Sequence, residues 1–156
     1  MIVVSDTSPL NYLVLVDLQH ILPELFERIL IPEAVREELQ SARAPEPITR
    51  FLAAAPAWLE TRRVSEIDPK LQHLDAGERE AIALALATSA DLALLDERKG
   101  RQSARERGLA VSGTLGVLDP AARRNLVSIS DALERLHGTS FRASPRVIRE
   151  IRNRFE

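Results

Sequence analysis

Short apolar runs alternate with amphipathic segments along most of the chain. The runs at 2–5, 29–31, 91–96 and 109–112 are rich in Val, Ile and Leu, which is typical of buried parallel strands. A further extended segment at 59–64 is too polar for a central strand. Strands that alternate with helices imply right-handed crossovers, so the pattern predicts an α/β fold with a mostly parallel sheet.

Helices are predicted between these strands. Ser8 and Pro9 predict a helix start, with the hydroxyl as N-cap and the proline in the first turn. Gly108 stands where a C-terminal helix cap is needed. The helix at 76–89 is apolar on nearly every face after residue 80, so we expect it inside the fold. The other helices are predicted at about 9–16, 18–27, 48–55 and 97–107, with one more entered at Pro32 and short ones after residue 112.

The composition fits one globular domain over 1–156, with a basic C-terminal extension at 139–156 packed on it or projecting from it. The chain is 45% hydrophobic and 28% charged, has no cysteine, and has no apolar run long enough for a membrane span. With no signal-peptide pattern either, we expect a cytoplasmic protein. A net charge of −2 argues against nucleic-acid binding by overall charge, and 4% aromatic content disfavours base-stacking platforms.

Four carboxylates stand at positions that solubility does not explain. Asp6 and Asp96 each follow a predicted strand, and sites in open parallel sheets lie beyond the carboxyl ends of the strands. Glu38 and Glu78 lie three and four residues from apolar positions on their helices, so each shares the inward face. The pattern predicts that the four acids meet in one pocket.

Each acid has a structural alternative when taken alone. Asp6 or Asp96 could cap a helix, although Ser8 fills that role better at the first site. Glu38 could pair with an arginine, and Glu78 could interact with a helix dipole. Together they are hard to tolerate inside a fold unless a cation neutralises them.

The chemistry of the available ligands indicates which cation the four acids would bind. Oxygen-only donors suit Mg²⁺ or Mn²⁺, whereas zinc would favour histidine or cysteine. His20, His73 and His137 are scattered, and we interpret them as surface or helix-end residues. A carboxylate-held divalent ion favours hydrolysis of a nucleic-acid backbone.

Five segments taken in order resemble PIN-domain ribonucleases, and in particular the VapC-like branch found as toxins of toxin–antitoxin pairs. The likeness covers nearly the whole chain. The segments are "VVSDTSPLNYL", "IPEAVREEL", "LDAGEREAIALAL", "DLALLDERKGRQSARERGLAVSGTLGVL" and "GTSFRASPRVIREI". The resemblance implies a three-layer α/β/α domain with an acid cluster that binds Mg²⁺ or Mn²⁺.

The resemblance also implies the roles of particular residues. The metal-binding and catalytic acids would be Asp6, Glu38, Glu78 and Asp96. Thr7 or Ser8 would support the first aspartate, and Thr114 would face the same pocket. There are two departures: Glu78 stands where the family often has aspartate, which would shift the metal or make it bind through water. Asn125 stands where a glycine is usual, and asparagine tolerates the left-handed conformation.

Arginines follow the acid site. Arg98, Arg101 and Arg105 recur at helical spacing, and we expect them to hold phosphates. The alternative is a solvated helix face paired with Glu97 and Glu106. The tail arginines could act similarly, or dock an acidic segment of the small antitoxin that the resemblance implies; they are Arg142, Arg146, Arg149, Arg152 and Arg154.

The sequence therefore predicts a Mg²⁺- or Mn²⁺-dependent endoribonuclease, a homodimer with RNA as substrate and an antitoxin as partner. One alternative is a module of the same fold that binds nucleic acid or protein without cutting. Another is a nuclease that acts on DNA. A phosphatase with an aspartyl nucleophile would need an aspartate two residues after Asp6, where Ser8 stands.

Overall fold

The structure is a computed structural model that describes residues 1–155. A five-stranded sheet in the order β3-β2-β1-β4-β5 runs through it, and every strand pair is parallel. The strands are β1 Val3–Ser5, β2 Ile29–Pro32, β3 Leu59–Arg62, β4 Leu92–Leu94 and β5 Val111–Ser112. The polar segment "LETR" forms β3 at one edge, which confirms that it is not a central strand.

Helices connect the strands and cover the sheet. They are α1 Thr7–Leu15, α2 Ile21–Phe26, α3 Glu33–Leu39, α4 Glu46–Ala53, α5 Ala76–Ala87, α6 Arg98–Glu106, α7 Thr114–Arg123, α8 Ile129–His137 and α9 Pro145–Phe155. A short 3-10 turn covers Pro69–Leu71. No helix in the described part of the chain is long and apolar enough to cross a membrane.

Two cores lie on opposite faces of the sheet because successive strand residues point to opposite sides. Val3 and Leu94 pack into a core with α1–α4 and α7–α9. Val4 and Ala93 pack into a second core with α5 and α6. This arrangement confirms the predicted three-layer α/β/α fold.

The start of α1 differs from our prediction. The helix begins at Thr7, and Asp6 rather than Ser8 occupies the N-cap position, with an extended backbone (φ −77°, ψ 177°). The Asp6 N–H donates to the Leu94 carbonyl at 2.9 Å, which keeps Asp6 in the sheet until the helix begins. Pro9 fits inside the first turn because N–H groups there have no intrahelical acceptor.

Helix α5 lies inside the fold, as predicted for its apolar half. Residues 81–85 are buried, and the helix packs against α3, α6 and β1. It ends at Ala87, two residues earlier than expected, because Ser89 takes a left-handed conformation (φ 51°). Leu86 is 41% exposed, so the burial does not continue to the end of the helix.

Two turn predictions are confirmed, and the C-terminal segment folds back on the domain. Gly108 (φ 81°) follows α6, and Asn125 (φ 58°) holds the left-handed turn after α7. Helix α9 packs against α8 and buries Ile151. The predicted single domain over 1–156 includes Glu156, which lies outside the described residues.

Candidate active site

The strand order places the first and last of the predicted acids next to each other. The chain passes from β1 outward to β2 and β3, then returns to add β4 on the other side of β1. Ligands of open parallel sheets bind at such a switch point, beyond the carboxyl ends of the strands. Asp6 directly follows β1 and Asp96 lies just after β4, so both stand at this crevice.

Asp6 and Glu38 meet at the first turn of α5. A Cβ atom added to Gly77 would lie 2.8 Å from Glu38 Oε1 and 2.9 Å from Asp6 Oδ1, closer than real Cβ atoms come. Glycine is therefore needed at this position for the two carboxylates to converge. Asp6 is 5% exposed. Glu38 is exposed, contrary to our expectation, because α3 ends at Leu39 and its last turn stands at the rim of the crevice.

Glu78 lies beside this pair, between α5 and α6. It is 6% exposed, and its Oε2 atom is 2.8 Å from the ideal Cβ position of Gly100. Its N–H donates to Oδ1 of Asp75, the N-cap of α5, at 2.9 Å. Asp75 therefore places a further carboxylate next to the predicted ones.

Asp96 is held by Thr114. The Thr114 N–H donates to Asp96 Oδ1 and its hydroxyl donates to Asp96 Oδ2, both at 2.7 Å. Asp96 thus satisfies the first N–H of α7, which is a capping role, although the alternative interpretation had it cap the helix that follows Asp96 directly. The same two bonds fix the orientation of its carboxylate in the crevice.

The Asp6 carboxyl is hard to ionise in the folded chain. The pKa of Asp6 is raised to about 7, mainly by burial and also by the negative charges of Asp75, Glu38 and Asp96, against a lowering hydrogen bond from the Thr7 backbone. A cation would therefore be stabilised strongly at this carboxyl.

Glu78 and Asp96 show the same tendency. Burial and a hydrogen bond with Asp75 raise the pKa of Glu78 to about 8, with added repulsion from Asp6 and Glu97. Burial raises the pKa of Asp96, while its bonds to Thr114 and the Arg101 charge oppose the rise. The site is thus a region of excess negative charge.

None of the four acids forms a salt bridge with any lysine, arginine or histidine in residues 1–155. The alternative in which Glu38 pairs with an arginine is therefore not observed. Asp6 stands at the N-cap position of α1 without a side-chain cap hydrogen bond, although a backbone hydrogen bond with Thr7 lowers its pKa. In the described part of the chain, neither acid forms an ion pair that would account for its placement.

The donors fit a hard divalent cation. In the described residues, no group of three or more histidine, aspartate or glutamate side chains is close enough together to hold a metal ion without movement. Mg²⁺ requires less than this, because it is commonly held by one or two carboxylates and keeps several waters. Asp6 and Glu38 supply such a pair, and Gly77 leaves it open. The three histidines are exposed, as expected.

The hydroxyls near Asp6 differ in their surroundings. Thr7 Oγ1 is buried and has no hydrogen-bond partner within residues 1–155, while Ser8 lines a cleft that begins at Asp96. Support of Asp6 by either residue stays a prediction.

Asp75 and Gly77 were not selected from the sequence, although both carried a signal. Asp75 stands three residues before Glu78, the spacing of a capping box. Gly77 stands inside a helix, where glycine costs about 1 kcal/mol relative to alanine. Such a glycine indicates that something approaches the helix closely.

The predicted arginines lie along α6 beside Asp96. Arg98 and Arg105 are exposed, and their side chains make no hydrogen bond or ion pair within residues 1–155, so the alternative pairing with Glu97 and Glu106 is not observed. Arg101 donates to the Asp96 carbonyl at 2.8 Å. All three line the cleft that starts at Asp96, which has a volume of about 950 Å³.

Comparisons with known proteins agree with this fold. The family model DUF3368, described as a PIN domain, matches residues 2–156. A PilT N-terminus domain protein from the hyperthermophilic archaeon Sulfolobus solfataricus P2 is similar in structure, with a TM-score of 0.55 and 17% identity over 92% of this chain and 100% of that one. At this identity the likeness supports the fold alone.

A second solved structure is less similar. It is a domain of a functionally unknown protein from Methanocaldococcus jannaschii DSM 2661, with a TM-score of 0.46 and 18% identity over 72% of this chain and 89% of that one. No curated protein matches the chain. The family match spans nearly the whole sequence and agrees with the resemblance seen in its motifs, so the chain belongs to the PIN-domain family.

Proposed function

We propose that this PIN domain is a Mg²⁺- or Mn²⁺-dependent endoribonuclease that hydrolyses RNA phosphodiesters. One observation carries the proposal: the carboxylates of Asp6 and Glu38 converge at Gly77, at the carboxyl edge of the sheet, with no basic side chain of residues 1–155 paired to either. PIN domains are generally nucleases, which agrees with an acid cluster at this position.

The acids of the site have different proposed roles. Asp6 and Glu38 would hold the ion, which would supply charge neutralisation at the phosphodiester and activation of a water molecule. Asp96, oriented by Thr114, adds a carboxylate on the β4 side of the crevice. Burial and the neighbouring Asp75 raise the pKa of Glu78 to about 8, so a cation bound in the site would favour its ionised form.

Cations next to the site bind the substrate backbone. Arg98 and Arg105 are exposed with no protein partner in residues 1–155, so their guanidinium groups are available to phosphates. Arg101 is bonded to the Asp96 carbonyl and serves mainly to position that strand end.

The biological setting follows from the VapC-like motifs rather than from the geometry. We propose that the chain acts in the cytoplasm as the toxin of a toxin–antitoxin pair, as a homodimer, and that a small antitoxin protein holds it inactive. The arginines of the C-terminal segment are candidates for contact with an acidic part of that partner.

Cleavage of mixed RNAs tests the activity. The purified protein should cut RNA with Mn²⁺ or Mg²⁺ and not with EDTA. Asp6→Asn and Asp96→Asn should each lower the rate by more than about 100-fold, the upper end for loss of a group that only supports a metal. Asp119→Asn, which alters an aspartate paired with Arg123 and Arg154, is the matched control and should cut normally.

Each alternative has its own outcome. Unchanged cleavage by both Asp6→Asn and Asp96→Asn would overturn the proposed site. Binding of RNA without cleavage under any divalent ion would support a non-cleaving module. Cleavage of DNA but not of RNA would support a DNA-directed nuclease with the same chemistry.

A further inference from the structure

The segment after α8 forms one wall of the cleft that starts at Asp96. Residues 140–144 and Val147 line the cleft, as do Arg98, Arg101 and Arg105 of α6. The cleft is open and holds about 950 Å³. The C-terminal segment and α6 therefore share this cleft with Asp96.

Two aromatic rings meet in this wall. Phe141 and Tyr12 pack edge to face, with ring centroids 5.1 Å apart and an interplanar angle of 75°. The Tyr12 hydroxyl is hydrogen-bonded to the Ser140 hydroxyl at 3.0 Å, which fixes the pair. Both rings are half-buried and line the cleft. The chain has only four Phe, one Trp and one Tyr, but two of them meet here, so low aromatic content does not prevent a local stacking surface.

Positive charge lines the same cleft as the rings. Arg98 and Arg105 have no protein partner in residues 1–155. Arg142 also lines the cleft, and it donates to the carbonyls of Thr139 and Phe141 at 3.1 and 2.8 Å. Asp96 and Glu97 line the same cleft, so it joins the acid site. The cleft therefore brings acids, cations and two aromatic rings together.

Arginines and aromatic rings in one cleft are typical of a binding site for single-stranded nucleic acid. A positively charged groove with aromatic rings binds single-stranded nucleic acid, because phosphates meet the cations and an unstacked base lies on a ring. A duplex keeps its bases paired and stacked, so it cannot offer one to the Phe141 ring.

We propose that the cleft is a base subsite for single-stranded RNA, in which Phe141 and Tyr12 receive one unpaired base while Arg98 and Arg105 hold the adjacent phosphates. This inference rests on the proposed function for the identity of the polymer. It makes the C-terminal segment a part of the site that selects for an unpaired base.

Binding of a short dye-labelled RNA to an Asp6→Asn background, measured by fluorescence anisotropy with Mg²⁺, tests the subsite without cleavage. Phe141→Ala should weaken binding about tenfold, the effect of losing one base–aromatic stack. Phe141→Trp should restore it. Phe51→Ala is the matched control, since Phe51 belongs to the aromatic pair with Trp58 outside the cleft, and it should bind as the background does.

An abasic RNA separates stacking from structural damage. Removing the one base that occupies the subsite should weaken binding to the background protein, and Phe141→Ala should then cause no further loss. Scanning the abasic position along the RNA identifies that base. If no abasic position is sensitive to Phe141→Ala, or if a duplex of the same sequence binds as tightly as the single strand, the subsite is overturned.

The arginines give an independent test that does not depend on Phe141. Arg98→Ala and Arg105→Ala should each reduce the slope of log affinity against log salt by about 0.7, the value for one phosphate contact on a single strand. Arg50→Ala removes a positive charge from the exposed face of α4 and should leave the slope unchanged. Slopes equal to that of the background in both cleft variants would contradict the proposal.

The same RNAs, tested for cleavage by the wild-type protein, separate the two proposals. Without cleavage, a base-dependent effect of Phe141→Ala still supports the subsite while the nuclease proposal fails. With cleavage, equal KM for wild type and Phe141→Ala on single-stranded RNA overturns the subsite and leaves the nuclease proposal intact.

Discussion

Asp6 and Asp119 are both aspartates with little exposed surface, and the chain surrounds them in opposite ways. Asp119, on α7, accepts from Arg123 at 2.6 Å and from Arg154 at 2.7 Å, and these hydrogen bonds lower its pKa. Asp6 has acids as its charged neighbours, and its burial raises its pKa to about 7. The Asp119 carboxylate is neutralised by two arginines of the protein, whereas the Asp6 carboxylate has no cationic partner within residues 1–155 and would need a bound cation.

The same contrast holds for a second pair of acids. Asp68 is bonded to Arg107 at 3.1 Å, whereas Glu78 shares a hydrogen bond with Asp75. The chain has 21 Lys and Arg residues, so cations are plentiful, yet none forms an ion pair with the site acids within residues 1–155. Burial without an ion pair, rather than the presence of an acid, distinguishes Asp6 and Glu78 from the structural ion pairs.

The largest effect that we expect from this contrast is on stability without metal. The pKa of Asp6 rises from 3.8 to about 7 on folding, and that of Glu78 rises from 4.5 to about 8. As pH increases, the unfolded chain releases these protons first, so the free energy of unfolding should fall between about pH 4 and 8. Urea titration in EDTA should show a loss on the order of several kcal/mol, and Mn²⁺ should restore much of it at pH 8.

The Asp6→Asn variant isolates the contribution of Asp6 to this pH dependence of stability. The amide has no charge to desolvate, so the variant should be more stable than wild type at pH 8 in EDTA by roughly 2–4 kcal/mol. It should also gain less from Mn²⁺. Equal stability of the wild-type protein at pH 5 and pH 8 without metal would show that these acids do not oppose one another in the fold.

Part of this contrast could be predicted from the sequence. Asp6 and Asp96 follow strands, and the alternation of strands and helices fixes which edge of the sheet those strands reach. Glu38 was placed by helical spacing, but its exposure at the rim was not predicted because spacing alone does not show where a short helix leaves the sheet. The sequence also does not show that Asp119 meets Arg154, which lies on a different helix.

The cleft beside the acids could not be predicted for a similar reason. Tyr12 and Ser140 are 128 residues apart, and their contact depends on how the chain returns after α8. Crossover rules govern the strands and their helices, but they do not determine how a segment after the last strand folds back. Gly77 was overlooked because its importance lies in two carboxylates from other elements.

A Gly77→Ala variant tests the close approach that unites Asp6 and Glu38. Its Cβ would displace both carboxylate oxygens, so Mn²⁺ affinity measured by calorimetry should fall about tenfold or more. Stability without metal should not fall, because alanine favours the helix by up to about 1 kcal/mol. Gly138→Ala is the control, since its Cβ would lie 3.4 Å from the Arg135 carbonyl and away from the acids. Unchanged Mn²⁺ affinity in Gly77→Ala would contradict the role of this pair.

The smallest effect on stability is expected for Asp119, the aspartate that is paired with arginines. Asp119→Asn removes two ion pairs and should lower the free energy of unfolding at pH 7 by about 1 kcal/mol. Because folding lowers the Asp119 pKa, its contribution is present above the unfolded value of 3.8 and is lost as pH falls through the folded value. Urea titrations should therefore show the loss relative to wild type shrinking in acid, with Mn²⁺ affinity unchanged. The sign is opposite to that of Asp6→Asn, which gains stability relative to wild type at high pH. A loss that grows toward low pH, or a weaker Mn²⁺ site, would mean that the two aspartates are not independent.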